Sequence, residues 1–268
     1  MIIGNKNFDI EHETYIMGIL NVTPDSFSDG GKFDTLDAAL FHAEEMIRDG
    51  AAIIDIGGES TRPGYTRISD QEEIERVCPV IEAVKSRLDT VISVDTYKSG
   101  VAAAACKSGA DLVNDIWGFK ADPEIARVTA EAGVACCLMH NKAEAVYGNF
   151  MEDMKKELQE SIAIARAAGV ADDKIIIDPG VGFGKTYENN LEAIAQVQQL
   201  KELGFPVLLA TSRKSVVGLT LDLPSDQRVE GTLVTTVYGV QKGCAFIRVH
   251  DIKENARAIK MTQALMRF

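Results

Sequence analysis

The chain has 268 residues, of which 46% are hydrophobic, and a formal net charge of -12 at pH 7. This negative charge argues against nucleic acid or an anionic membrane as a partner. No apolar run approaches the roughly 18 residues of a membrane span, and the chain does not open on a signal-peptide pattern. Because α/β barrels commonly run to about 250 residues as one unit, we expect a single domain over residues 1–268.

Short apolar runs alternate along the chain with longer segments of helical periodicity. The runs, which are typical of buried strands, are residues 15–20, 52–56, 91–95, 111–115, 135–139, 174–178, 206–210 and 245–249. The helical segments are residues 36–49, 70–87, 98–108, 123–132, 151–168, 189–203, 225–242 and 252–267. Ser69 followed by Glu72 forms a capping-box pattern before the second of these segments.

This alternation, repeated eight times, predicts parallel strands that are buried on both faces. Eight strand–helix units in about 250 residues match a (β/α)8 TIM barrel, so we assign the chain to the α/β class. A doubly wound sheet is the alternative. The opening segment IIGNKNFDI, residues 2–10, predicts a short N-terminal β-hairpin that caps the floor of the barrel.

The five cysteines form no CxxC pair, and an odd number is a poor basis for a disulfide framework. Cys136 and Cys137 lie side by side in an apolar run, so a strand there would point them to opposite faces. We therefore expect buried, reduced thiols in a cytoplasmic protein.

Polar or charged side chains follow each predicted strand. They are Asn21, Glu59 to Arg62, Asp95, Asn114, Asp115, His140, Asp178, Ser212 to Lys214, Arg248 and His250. In a barrel the carboxyl ends of the strands meet at one mouth, where active sites lie. The polar segment after the first strand, which contains Gly30 and Gly31, is therefore expected to be a loop at this mouth with freedom to move.

Three of these residues, Asp95, Asn114 and Asp178, suit a planar heterocycle with amide and amino edges. Carboxylates accept from NH groups, and an asparagine side chain both donates and accepts. The alternative is that the carboxylates pair with Lys or Arg inside the barrel, since a buried carboxylate must be compensated.

Three cations, Lys214, Arg248 and His250, follow the last two strands and suit a phosphate or carboxylate. A solvated basic rim is the alternative. The segment DPGVGFGKT, residues 178–186, resembles a P-loop but lacks the required first glycine, because position 179 is Pro. Its glycines are expected to let the backbone approach a ligand beside Asp178.

The chain resembles the dihydropteroate synthase family from end to end. The motifs that carry the resemblance are GILNVTPDSFSDGG (18–31), IDIGGESTRPG (54–64), SVDTYK (93–98), VNDI (113–116), DPGVGFGKT (178–186), SRKS (212–215) and RVHD (248–251). The resemblance implies a transferase that joins p-aminobenzoate to 6-hydroxymethyl-7,8-dihydropterin diphosphate in folate synthesis. It also implies dissociative chemistry, in which diphosphate leaves before the amine attacks, with Mg2+ as cofactor and a homodimer as the assembly.

Carried over by motif, the resemblance also implies roles for individual residues. The pterin is expected at Asp95, Asn114, Met139, Asp178, Phe183 and Lys214. The diphosphate is expected at Asn21, Thr61, Arg248 and His250, with Asn21 also a ligand of Mg2+. The p-aminobenzoate is expected at Phe27, Thr61, Arg62, Pro63, Lys214 and Ser215, with Asp25 and Asp29 on a mobile first loop. The expected catalytic residues are Lys214, Asp178, Asp95 and Arg248.

Two segments depart from the family pattern. Ala210 stands where the family usually has Gly, and MHNKAEAVYGN, residues 139–149, replaces the common Met with Gly and Pro nearby. The fifth βα loop is therefore expected to differ. Two related functions stay open: a pterin-binding methyltransferase domain, which should lack NVTPDSFSDGG, and a non-catalytic pterin-binding paralogue, which should lose first-loop or cationic residues.

Overall fold

The computed structural model describes residues 1–23, 32–59 and 67–268, and each predicted apolar run contains a strand. Two short strands, β1 (Ile2–Ile3) and β2 (Lys6–Asn7), open the chain. The others are β3 (Tyr15–Asn21), β4 (Ala51–Gly57), β5 (Val91–Asp95), β6 (Leu112–Asp115), β7 (Ala135–Met139), β8 (Ile175–Asp178), β9 (Leu208–Leu209) and β10 (Phe246–Val249).

Strands β3 to β10 form one parallel sheet in the order β8-β7-β6-β5-β4-β3-β10-β9. A parallel bridge between Ile177 and Val207 joins its two ends, so the sheet curls into a nearly closed barrel. The predicted (β/α)8 barrel is confirmed, and the doubly wound alternative is wrong. Strand β9 is shorter than predicted because Pro206 has no N–H to donate, although its carbonyl accepts from Ile177 N at 3.0 Å.

Helices follow the barrel strands. They are α1 (Lys32–Asp49), α2 (Asp70–Arg87), α3 (Ser99–Ser108), α4 (Ile125–Ala132), α5 (Phe150–Ala168), α6 (Tyr187–Ala195), α7 (Ser215–Leu221), α8 (Val229–Gln241) and α9 (Ile252–Met266). Helix α2 has the predicted bounds, and Ser69 Oγ accepts from Glu72 N at 3.2 Å as its cap. Among the described residues, no helix is both long and apolar enough to cross a membrane.

Helix α1 begins at Lys32 and not at the predicted residue 36, and two other predicted helical segments are not single helices. The segment 189–203 divides at Gln196, which leaves the helical conformation with φ -112° and ψ 17°. Helix α6 begins earlier, after a capping box of Thr186 and Asn189, and a 3-10 helix covers Val197–Leu203. The segment 225–242 begins as a separate 3-10 turn, Ser225–Gln227, because Arg228 lies outside the helical region before α8.

The predicted N-terminal hairpin is confirmed and packs into the barrel floor. Strands β1 and β2 pair antiparallel, with Ile2 opposite Asn7. Ile3 and Phe8 are buried against residues of the barrel interior, including Met17 and Phe246. The hairpin thus shields from water the end of the barrel away from the strands' carboxyl ends.

The barrel wall separates two apolar layers, because neighbouring residues on a strand point to opposite faces. Ile53 packs inside the barrel, whereas Ile54 packs outside against the helices. Cys136 and Cys137 divide in the same way, as predicted, and both are buried. All five cysteines are free thiols.

Candidate active site

Five predicted site residues stand at the carboxyl ends of the barrel strands. Asn21, Asp95 and Asp178 are the last residues of β3, β5 and β8, respectively. Asn114 and Arg248 lie one residue before the ends of β6 and β10. Because the strands are parallel, all five belong to the same mouth of the barrel.

A buried hydrogen-bonded network joins four strands at this mouth. Arg248 Nε lies 2.6 Å from Asp55 Oδ2, and its Nη2 lies 2.6 Å from Asp95 Oδ2. Asn114 Nδ2 donates to the same Asp55 oxygen at 3.1 Å. Arg248 therefore lies among carboxylates and does not form a separate basic patch. The alternative considered from the sequence, that a carboxylate pairs with Lys or Arg inside the barrel, applies to Asp95.

The electrostatics of this network keep Arg248 charged and leave Asp95 titratable. Burial raises the pKa of Asp95 to about 7, although Arg248 opposes the rise. Burial also disfavours the charged form of Arg248, but Asp55 and Asp95 outweigh it and raise the pKa above its ordinary value. Asp95 thus changes charge near neutral pH beside a permanent cation.

Two carboxylate oxygens of the network have no hydrogen-bond partner among the described residues. They are Asp55 Oδ1 and Asp95 Oδ1, and both are buried. Buried polar atoms are nearly always hydrogen-bonded. The two oxygens are therefore suited to accept from the NH groups of a ligand.

A second pair of charged side chains is formed by Asp178, the last residue of β8, and Lys214, which follows β9. Asp178 is 3% exposed, and its Oδ1 accepts from Gly180 N at 2.6 Å. Lys214 Nζ donates to Val181 O at 2.5 Å and lies 5.0 Å from the centre of the Phe183 ring. Burial raises the pKa of Asp178 and lowers that of Lys214 to about 8, and each group opposes the shift of the other. Lys214 can therefore hold or release a proton near neutral pH.

An apolar cluster borders the charged groups at the mouth. Tyr97, Ile116 and Met139 are buried together, and Trp117 and Phe183 pack against them. The structure therefore brings Met139 and Phe183 together, as expected for two residues that contact one flat ring. This small cluster is separate from the two large apolar layers of the barrel.

Asn21 and Asp95 flank Gly57 at the end of β4. A Cβ added at Gly57 would lie 3.8 Å from both Asn21 Oδ1 and Asp95 Oδ2. The described residues contain no group of three or more His, Cys, Asp or Glu side chains that could hold a metal ion. Mg2+ usually keeps several waters and uses one or two protein oxygens with substrate phosphates. Asn21 Oδ1 is a neutral oxygen of the kind that can serve as one such protein ligand.

The remaining described candidates are His250, which follows β10, and Ser215, which follows β9. His250 is half-buried, and its Nδ1 lies 2.9 Å from Ser212 Oγ. Ser215 is exposed as the first residue of α7. The other expected site residues lie outside the described residues: Asp25, Phe27, Asp29, Thr61, Arg62 and Pro63.

Two features of the site differ from the expectations drawn from the sequence. Asp55 was missed, although an acidic residue inside the apolar run AIIDI was a usable signal, since it shares the inward face of Ile53. The glycines of the segment 178–186 were expected to let the backbone approach a ligand, but two of them allow the close approach of other protein backbone. A Cβ added at Gly180 would lie 1.9 Å from His140 O, and a Cβ added at Gly184 would lie 2.2 Å from Lys142 O.

Comparisons with known proteins agree with this geometry. The chain matches the family of pterin-binding enzymes over residues 17–250. It is 58% identical to a dihydropteroate synthase of Clostridium beijerinckii over 268 residues, which cover 100% of both chains.

Two solved structures show the same similarity in three dimensions. A dihydropteroate synthase of Clostridium difficile, solved in the presence of pteroic acid, has a TM-score of 0.95 and 49% identity, covering 98% of this chain and 100% of the other. The enzyme of Xanthomonas albilineans with 4-aminobenzoic acid has a TM-score of 0.91 and 39% identity, covering 96% and 94%.

Proposed function

Since the chain belongs to the dihydropteroate synthase family of pterin-binding enzymes, it is a transferase that forms dihydropteroate, and we propose how its side chains divide this task. Its substrates are p-aminobenzoate and 6-hydroxymethyl-7,8-dihydropterin diphosphate, and diphosphate is the second product. The methyltransferase-type barrel considered from the sequence is therefore set aside.

The pterin ring is proposed to bind among the acceptors at the mouth. The observation that supports this assignment most strongly is the pair of buried oxygens without partners, Asp55 Oδ1 and Asp95 Oδ1. The pterin carries amino and ring NH groups, which would satisfy these acceptors together with Asp178. Met139 and Phe183 would pack against the ring, and Asn114 would add a polar contact.

The same acceptors are proposed to serve the chemical step. Departure of diphosphate leaves positive charge on the pterin, and the carboxylates of Asp95 and Asp178 would stabilise that charge in a site with little water. Lys214, whose pKa burial lowers to about 8, would stabilise the ring in the same pocket and exchange a proton near neutral pH. Asn21, Arg248 and His250 would hold the leaving diphosphate.

Asn21 is the described residue proposed to contact Mg2+. When bound, Mg2+ would neutralise charge on the diphosphate oxygens. The role of Asn21 is to offer one neutral oxygen at the mouth. Replacing Asn21 with Ala is expected to raise the Mg2+ concentration needed for half-maximal rate. Asn5→Ala, at the barrel floor where Asn5 donates to Asp89, is the matched control and should leave this concentration unchanged.

The p-aminobenzoate site is proposed at Lys214 and Ser215, among the described residues. The resemblance adds Phe27, Thr61, Arg62 and Pro63, with Asp25 and Asp29 on a first loop that closes over the reacting groups and excludes water. These six residues keep the roles proposed from the sequence.

A direct assay tests the proposed reaction. Purified protein, both substrates and Mg2+ are incubated, and dihydropteroate is quantified by chromatography. Formation of dihydropteroate that depends on both substrates is the expected result. No product with a folded wild-type protein would instead favour the non-catalytic pterin-binding paralogue.

We also propose a cytoplasmic homodimer. Large apolar side chains stay exposed on the last helices: Val234 on α8 and Met261 and Leu265 on α9 are 68%, 59% and 64% exposed. A second copy that covered them would remove this area from water. Light scattering at micromolar concentration should give twice the 29.1 kDa chain mass, and Val234→Glu with Leu265→Glu should give monomers. The free thiols support a reducing compartment, which cell fractionation would test.

A further inference from the structure

The segment between β8 and α6 forms one wall of the pocket. Its own Lys185 and two side chains from outside the segment hold three of its backbone carbonyls. The contacts are Lys214 Nζ to Val181 O at 2.5 Å, Lys185 Nζ to Phe183 O at 3.0 Å and Tyr147 OH to Gly184 O at 2.6 Å. No helix or strand covers residues 179–186. These contacts therefore hold the backbone of the segment that carries the Phe183 ring.

A hydrogen-bonded chain orients one of these donors. Lys185 Nζ lies 2.8 Å from His140 Nδ1, and His140 Nε2 lies 2.9 Å from Glu157 Oε2. An ammonium group can only donate, and a carboxylate can only accept. Burial lowers the pKa of Lys185 to about 7. While the amine is protonated, His140 is neutral, with its proton on Nε2. Burial and then Lys185 lower the pKa of His140 to about 2, which is consistent with this assignment.

The same imidazole is packed directly beneath the loop. His140 is 3% exposed, and its backbone N donates to Asp178 O at 2.9 Å. A Cβ at Gly180 would lie 1.9 Å from His140 O, so the two segments touch without space for a side chain. Lys185 also reaches His140 O at 3.4 Å. The ammonium thus joins the loop after β8 to the end of β7.

Asp178 and Phe183 are both held by contacts at this junction. Gly180 N holds Asp178 Oδ1 at 2.6 Å, and Lys185 holds the carbonyl of Phe183. We propose that Lys185, oriented by His140 and Glu157, is a positioning residue that fixes Asp178 and Phe183 for the pterin ring. This inference rests on the pterin-binding roles proposed above for those two residues.

Steady-state kinetics of Lys185→Met test the inference. The KM for the pterin diphosphate is expected to rise at least about tenfold, as small displacements of positioning groups can cause, while the KM for p-aminobenzoate stays within about twofold. Lys155→Met is the matched control, because Lys155 lies on the same helix as Glu157 but its Nζ pairs with Glu152 at 2.7 Å and Glu202 at 3.0 Å. Both KM values of the control should stay within about twofold of wild type.

Nitrogen-15 NMR of histidine-labelled protein gives an independent readout. Wild-type His140 is expected to show the neutral form protonated on Nε2. Lys185→Met should shift the Nδ1 resonance toward that of an unprotonated imidazole nitrogen that accepts no hydrogen bond. If Lys185→Met does not fold, Glu157→Gln, which leaves the ammonium in place, should raise the same KM by a smaller factor.

Failure of this inference is distinguishable from failure of the proposed reaction. An inactive wild-type protein would contradict the reaction. An active wild type with equal rises in both KM values for Lys185→Met, or with a lower melting temperature and unchanged KM values, would reduce Lys185 to a structural residue and overturn the inference.

Discussion

Arg248 binds the fully buried carboxylate of Asp55, with its Nε 2.6 Å from Asp55 Oδ2. The same guanidinium binds Asp95, so one cation compensates two acidic side chains. A buried charge that loses its partner costs several kcal/mol. The stability of the barrel and the chemistry of its mouth therefore depend on the same ion pair.

Replacing Arg248 with Met should lower both stability and turnover. The free energy of unfolding should fall by about 3–5 kcal/mol, because Asp55 and Asp95 lose their shared partner. Turnover should fall by roughly two orders of magnitude, as loss of a preorganised charge can cause. Urea unfolding and steady-state rates check the two effects. Arg127→Met is the control, since Arg127 pairs with exposed carboxylates. This variant should leave stability and turnover unchanged. An unfolding curve for Arg248→Met equal to that of wild type would show that the ion pair does not stabilise the barrel.

Replacing Asp178 with Asn separates binding from catalysis. The amide oxygen can still accept from Gly180 N, which places the amide NH2 where the second carboxylate oxygen stood. A donor then faces a pterin donor, so the binding free energy of the pterin diphosphate should become less favourable by about 1–3 kcal/mol. The single-turnover rate should fall further if the charge of Asp178 stabilises a pterin cation.

The dissociation constant and the single-turnover rate are measured on the same Asp178→Asn preparation. The control is Asp173→Asn, an exposed residue before β8. A higher dissociation constant with an unchanged single-turnover rate would show that Asp178 acts only in binding.

Asp95 should make stability and ligand affinity change in opposite directions with pH. Its pKa is about 7 in the folded protein, above the ordinary 3.8, so the folded state binds more protons than the unfolded chain between these values. The stability from this group is complete below about pH 4 and is lost as the pH rises through about 7. Affinity for the pterin diphosphate should rise over the same range, because the carboxylate becomes an acceptor.

Urea unfolding between about pH 5 and about pH 8 checks the direction for Asp95. Wild type should lose stability with rising pH relative to Asp95→Asn, in which the group cannot titrate. Parallel curves for the two proteins would mean that Asp95 is ionised throughout this range.

Replacing Lys98 with Met should strongly destabilise the protein. Lys98 Nζ lies 2.8 Å from Glu59 and 2.7 Å from Glu73, and the three side chains are 3% exposed or less. Without the ammonium two carboxylates remain buried side by side, which should cost about 3–5 kcal/mol of unfolding free energy. Denaturant unfolding measures it, with Lys6→Met, which breaks a more exposed ion pair with Asp89, as a control that should stay near wild type. A double variant Lys98→Met with Glu73→Gln should recover part of the loss, and no recovery would argue against the charge explanation.

The sequence by itself determined the barrel and several of the residues at its mouth. Strand periodicity, helix periodicity and the polar residues after each strand are local patterns. In a closed parallel sheet the carboxyl ends of all strands lie at the same mouth, so these polar residues lie there too. Asp95, Asn114, Asp178 and Lys214 could therefore be placed at the mouth before any coordinates were known.

Only the tertiary structure decided which of these side chains contact one another. Arg248 and Asp55 are 193 positions apart, and Lys185 and His140 are 45 apart. The partner of Asp55 could not be predicted, because nothing near Asp55 in the chain shows that this partner arrives from the last strand. The partner of each side chain depends on strand order and on the close approach of loops, for example at Gly180. Both follow from closure of the barrel. Local propensities do not determine which distant side chains share the same buried space, so the sequence alone could not predict these contacts.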